Sequence, residues 1–124
     1  MRFSFDCGQT LVMVEVRVRG PLGLMVADFA VDTGAVQSMM SESLLQVLGY
    51  DVDSARSVEI ATAGGRARAT EVRVTNFSAR RVTVSDTAVL ASNLPNGIDG
   101  LLGLDFLRVG RLGIDFRDGT IEFD

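Results

Sequence analysis

Along residues 11–18, Leu11, Met13, Glu15 and Arg17 alternate with Val12, Val14, Val16 and Val18, so one face is wholly apolar and the other turns polar. A period of two predicts a strand with one buried face. Gly20-Pro21-Leu22-Gly23 punctuates it with a turn. Residues 24–31 then form a second apolar segment, interrupted by Asp28, and the two together predict a hairpin. The second segment runs directly into Asp32-Thr33-Gly34. Beyond it the spacing changes. Ser41 stands as a helix cap before Glu42, the stripe Leu44, Leu45, Val47 and Leu48 follows, and Gly49 ends the helix.

Residues 57–90 are rich in β-branched side chains, with Val58-Glu59-Ile60, Val72-Arg73-Val74 and Val82-Thr83-Val84 each in the strand period, predicting three strands. Gly64-Gly65 between the first two supplies the positive φ angles of a tight hairpin tip, and residues 76–80 predict a second turn. Pro, Asn and Gly mark residues 92–97 as a loop, and Leu101-Leu102-Gly103 leads into a short helical pattern through Leu107. Residues 111–116 and 120–123 close the chain as a hairpin around Asp118-Gly119. Many short strands with one or two short helices predict a mainly β, small closed barrel-like or sandwich fold. The two halves echo each other faintly, too weakly for a repeat.

With 124 residues the chain fits a single domain, 1–124, with one core. Its composition, 47% apolar and 23% charged, is that of a globular protein. The formal charge is −4 and all the basic residues are arginines scattered from Arg2 to Arg117, which argues against nucleic acid as a partner. No apolar run reaches membrane-spanning length and no secretory leader is evident, so a soluble cytoplasmic protein without a membrane partner is expected. Cys7 is the single cysteine and histidine is absent, which excludes an internal disulfide, a Cys-His nucleophile and a His-containing metal site. Cys7 reads as a structural filler, and neither metal nor cofactor is expected.

The chemistry lies in Ala30-Val31-Asp32-Thr33-Gly34-Ala35, which sets a carboxylate at the end of an apolar strand, then a small hydroxyl residue and a glycine. Such a tripeptide is either an ordinary exit from strand to turn or an ionisable group aimed out of a hydrophobic setting. Its context resembles the retroviral-type (retropepsin-like) aspartic proteases over almost the whole chain. In that family an apolar strand ends in Asp-Thr-Gly-Ala, a helix follows, a glycine-containing hairpin forms a flap, and a Leu/Ile-Leu/Ile-Gly segment precedes a second helix. The matching features here are residues 30–35, 41–48 and 60–68, and Gly100-Leu101-Leu102-Gly103 before Asp105-Phe106-Leu107.

The resemblance implies Asp32 as the catalytic residue. Thr33 would brace the active-site loops across a dimer, the Gly34 amide would hydrogen-bond the carboxylate, and Ala35 would complete the support. Ala63, Gly64 and Gly65 would form the flap, and Leu101 and Leu102 would line substrate pockets or serve as core leucines. Val36 departs from the polar residue that relatives often carry after Asp-Thr-Gly-Ala. Two carboxylates are needed to share one proton, and the chain has one Asp-Thr-Gly, so the resemblance implies a homodimeric endopeptidase acting on an extended polypeptide. The alternatives are a silent peptide-binding module or a dimerisation domain on the same fold. Asp105 is expected to cap or brace the second helix, Asp99 and Asp115 to serve turns or strand edges, and Arg66 and Arg68 to lie on a solvated strand face.

Overall fold

The valines of the first alternating segment, Val14, Val16 and Val18, are buried as their period requires. In the computed structural model, which describes residues 2–6, 8–62 and 64–124, they lie on β2 (Met13–Gly20), paired antiparallel with β3 (Gly23–Val31) across a turn closed by Gly20 and Gly23. The other elements are β1 (Arg2–Ser4), β4 (Met39–Ser41), α1 (Glu42–Val47), β5 (Arg56–Thr62), β6 (Gly65–Ala79), β7 (Val82–Ser92), β8 (Gly100–Leu102), α2 (Leu104–Leu107), β9 (Leu112–Asp115) and β10 (Thr120–Phe123).

Hydrogen bonding runs in the order β2, β3, β8, β4, β7, β6, and β6 returns to β2 through Arg17 opposite Ser78, Val18 opposite Phe77 and Arg19 opposite Asn76. Six strands thus close into a barrel, which leaves no open edge along that ring. The 15-residue β6 serves two structures. Its second half closes the barrel, whereas its first half pairs with β5 in a hairpin that stands beyond the ring, from Arg56 opposite Glu71 to Thr62 opposite Gly65. A second sheet, in the order β1, β10, β9, covers the barrel with Ile121 and Phe123 turned into the common core.

Four phenylalanines join these layers. Phe29 of β3 meets Phe77 of β6 edge to face at 5.2 Å, Phe77 meets Phe106 of α2 at 5.3 Å, and Phe106 meets Phe123 of β10 at 5.4 Å. Beyond the area they bury, such ring pairs contribute about 0.5–1.5 kcal/mol each. The fold is therefore a mainly β closed barrel with two short helices, as the pattern of the chain predicts.

Three details differ from expectation. Residues 76–79 are strand, because Phe77 and Ala79 are buried and pair with Val84 and Val82. The turn falls instead on Arg80 and Arg81, where Arg80 adopts φ 54 without being glycine. Ser41 precedes α1 but makes no side-chain capping bond, its hydroxyl sharing a hydrogen bond with that of Ser43 at 3.0 Å. It ends β4, which like β1 is three residues long, too short to register as an alternation. Among the described residues no helix is long and apolar enough to cross a membrane.

Gly100 has no space for a side chain, since a Cβ there would lie 2.2 Å from the ring of buried Phe29 and 2.6 Å from the Met39 carbonyl oxygen. Gly100→Ala is expected to lower unfolding stability in urea by about 3 kcal/mol through overpacking. Gly113→Ala, whose Cβ would meet nothing nearer than 3.9 Å, should stay within ~0.5 kcal/mol of the parent in the same titration.

Candidate active site

Asp32 leaves the barrel where two neighbouring strands run parallel, with Phe29 of β3 opposite Gly100 of β8, Ala30 opposite Leu101 and Val31 opposite Leu102. The Asp32 amide extends this pairing by donating to the Leu102 carbonyl at 2.9 Å, while the Val31 amide donates to Val12 on the other side at 2.9 Å. The strand is thus held on both sides up to the carboxylate. The chain then turns sharply: the Gly34 amide donates to Asp32 Oδ1 at 3.0 Å and the Ala35 amide to the Asp32 carbonyl at 3.2 Å. A Cβ on Gly34 would sit 3.2 Å from that same Oδ1. The position favours glycine because the amide must come this close.

A second set of bonds fixes the far side of the loop. The Leu104 amide donates to the Ala35 carbonyl at 2.8 Å and the Asp105 amide to the Val36 carbonyl at 3.1 Å, so the first residues of α2 dock directly beneath the loop. The Asp105 carboxylate accepts the Ser38 amide on both oxygens at 3.0 Å, and Oδ1 also accepts the Ser38 hydroxyl at 2.7 Å. The Ser38 oxygen in turn accepts the Gly103 amide at 2.9 Å. Ser38 is 1% exposed, yet its donor and its acceptor capacity are both used. Gly103 permits the arrangement, because a Cβ there would lie 2.8 Å from the Ala35 carbonyl oxygen.

Above the loop opens a groove of about 450 Å³, lined by Asp32, Gly34 and Ala35, by Met39 and Leu101 from the barrel, and by Ile60 and Ala61 from β5. Asp32 is half-buried while Thr33 and Gly34 are exposed. Leu101 lines this groove. Leu102 does not: it is 2% exposed and belongs to the core, because adjacent strand residues point to opposite faces, and the pocket assignment is corrected for that residue. Gly64 and Gly65 stand at the exposed end of the β5–β6 hairpin, Gly65 with φ 123, and Ala63 lies outside the described residues.

The remaining polar residues have structural work. Asp105 braces the loop as well as the helix. The Asp99 carboxylate accepts the Asp28 amide at 2.8 Å, joining β3 to the loop before β8, and Asp115 Oδ1 accepts the Arg117 and Asp118 amides at 2.9 and 3.0 Å inside the final turn. Arg66 pairs with Glu59 at 2.7 Å and Arg68 donates to the Ser57 hydroxyl at 3.2 Å, both exposed across the hairpin. Val36, 77% exposed, forms part of the groove wall. Among the described residues no cluster of three or more His, Cys, Asp or Glu side chains is placed to hold a metal ion.

A closed six-stranded barrel carrying an Asp-Thr-Gly loop docked on a short helix is the fold of the retropepsin-like aspartic proteases. Residues 14–109 match the family described as "gag-polyprotein putative aspartyl protease", and the chain belongs to that family. Among solved structures it is similar to a retropepsin-like aspartic protease from Rickettsia conorii, with 18% identity, a TM-score of 0.74, and coverage of 99% of this chain and 88% of that one. The retroviral protease-like domain of Ddi1 from Leishmania major gives 20% identity and a TM-score of 0.61 over 94% of this chain and 90% of that one. The EIAV protease bound to the inhibitor HBY-793 gives 19% and 0.59 over 82% and 88%. No curated protein matches the sequence significantly.

Ser38→Ala would leave the Gly103 amide without an acceptor inside the core. An expected loss of about 1–3 kcal/mol follows from one buried unsatisfied donor. Chemical denaturation of the variant beside the parent measures it.

Proposed function

We propose that two copies of this chain form an aspartic endopeptidase, each contributing Asp32 to a shared site. The observation that carries this reading is the position of Asp32 on the groove: a half-buried carboxylate, oriented by the Gly34 amide, beside a largely apolar surface to which the β5–β6 hairpin contributes Ile60 and Ala61. A peptide laid along that surface in extended form would pair its backbone with the neighbouring strands and place alternate side chains on Met39, Ile60 and Leu101.

One carboxylate is not enough for the chemistry. Two carboxylates held a few ångströms apart cannot both ionise easily, so the pair keeps one proton. The ionised member takes a proton from water as that water adds to the scissile carbonyl, and the protonated member gives its proton to the departing amide nitrogen. No covalent intermediate forms, and the titration belongs to the pair. A twofold axis beside the exposed Thr33 and Gly34 would bring two Asp32 side chains together in an isologous interface. Thr33 then braces the opposite loop, and the hairpin tip at Gly64 and Gly65 acts as a flap that excludes water over the bound peptide.

Asp32→Asn should reduce cleavage of a peptide library by at least ~10³-fold while circular dichroism and sedimentation remain those of the parent. Adding an excess of that variant to the parent, with subunit exchange verified, should suppress the remaining activity. Parent activity that persists through the excess, or stays proportional to concentration down to fully monomeric protein, rules out a shared site.

Thr33→Ala is expected to weaken association by about 1–3 kcal/mol per buried hydrogen bond lost, with activity falling in parallel. An unchanged dimer constant in sedimentation equilibrium would dismiss the bracing role.

A further inference from the structure

Among the described residues, two polar side chains line the groove, those of Asp32 and Gln37, and the hydrogen bonds of Gln37 determine which of its atoms remains for an occupant. A primary amide has two N–H donors and one acceptor oxygen. Gln37 Nε2 donates to Glu71 Oε2 at 3.1 Å and to the Ala88 carbonyl at 3.1 Å, which uses both donors on the barrel side. The opposite amide orientation would set its oxygen against a carboxylate and a carbonyl, so the chemistry of the two partners fixes the orientation. Oε1, an acceptor, is left without a partner among the described residues.

Glu71 adds charge to this acceptor. It is half-buried on β6 opposite Leu90, itself a groove residue, and side chains opposite each other on paired strands share a face. Its ion pairing is incomplete: the salt bridges among the described residues join Arg2 to Glu122, Arg66 to Glu59 and Arg73 to Asp86. Arg56 is opposite Glu71 on β5 but is exposed and makes no ion pair with it among these residues. A partly desolvated carboxylate behind an acceptor-only amide makes the part of the groove at Gln37 electronegative.

We infer that Gln37, oriented by Glu71, is a specificity determinant that favours a lysine or arginine side chain at one substrate position flanking the apolar ones, and disfavours aspartate and glutamate there. The inference rests on the groove being the substrate site proposed above. Gln37 would contact the substrate through Oε1. Glu71 is a positioning residue, holding the amide and supplying the field. In a site shared by two chains the preference occurs twice, once on each side of the cut.

The test is a set of peptides identical except for lysine, norleucine or glutamate at each flanking position, cleaved by the parent, by Glu71→Gln and by Gln37→Met. For the parent, kcat/KM should favour lysine over norleucine by about tenfold at one position on each side, and glutamate should be the poorest. Glu71→Gln, which allows the amide to reverse, and Gln37→Met, which removes the acceptor, should each bring the ratio of lysine to norleucine close to one. A ratio is unaffected by a general loss of folded enzyme. The parent alone also decides the matter, because its preference should weaken between low and high salt. A preference absent in the parent, unchanged in both folded variants, or insensitive to salt overturns the inference. If no peptide is cleaved, the protease reading fails separately, and anisotropy of the same labelled peptides bound to the parent is read instead. Binding ranked lysine, norleucine, glutamate sustains the determinant, and absent or unranked binding overturns it.

Discussion

The position of Asp32 depends on a side chain far from it in sequence. Asp105 lies at the start of a four-residue helix and receives three hydrogen bonds from Ser38, two from its amide and one from its hydroxyl, across a separation of 67 residues. That bridge ties the descending arm of the Asp32 loop to α2, and Gly103 lies between them with no space for a Cβ. Helices this short are not stable on their own. The first turn of α2 is instead held by the loop it supports, through the Ala35 and Val36 carbonyls, so each segment supplies the hydrogen-bond partners the other lacks.

The barrel makes that mutual support rigid. β3 and β8 come from opposite halves of the chain, and their parallel pairing holds only if Gly100 admits the Phe29 ring. Phe29 then begins the aromatic sequence through Phe77 and Phe106 to Phe123, which reaches α2 and the terminal sheet. A packed interior does not deform continuously, so a change in any ring would be felt at the loop it underlies. The β5–β6 hairpin has no comparable constraint. Beyond residues 70–79 of β6 its pairing is local, and Arg66, Arg68 and Glu59 face solvent. The molecule thus sets a carboxylate fixed by its neighbours across a groove from a segment with few burying contacts, the kind of segment that opens locally at the lowest cost.

Much of this was legible in the chain because it depends on local period. The β2–β3 hairpin, both helices, the glycine hairpin and the Asp-Thr-Gly position all follow from alternation and turn residues. Residues 76–79 look like a turn because Asn76 and Ser78 are turn-forming types, although they are the outward half of an alternation whose inward half is Phe77 and Ala79. Ser38, Gln37 and Glu71 carried no signal at all. Their importance is set by partners 34 to 67 residues away, and no pattern within a window of ordinary length can show it. Leu101 and Leu102 illustrate the same limit on a smaller scale. The sequence identifies an apolar pair, but only the register of β8 between β3 and β4 decides which one faces the groove.

Symmetry sharpens the relation between the two proposals. A peptide has direction, whereas a site made from two identical chains has a twofold axis, so one peptide presents different side chains to equivalent halves. Strong selection in a single pocket is therefore hard to build, because any feature that favours a residue before the cut favours it after the cut as well. A pattern of apolar contacts with one electronegative acceptor at each end is compatible with that constraint. It asks for a basic residue at a distance from the bond on either side and leaves the central positions to shape. Discrimination then arises from two modest terms acting together, and a peptide satisfying one end alone is held less firmly than one satisfying both. On this view Val36, largely exposed on the groove wall and next to Gln37 in sequence, adds apolar surface beside the acceptor, where the aliphatic stem of a lysine or arginine can lie.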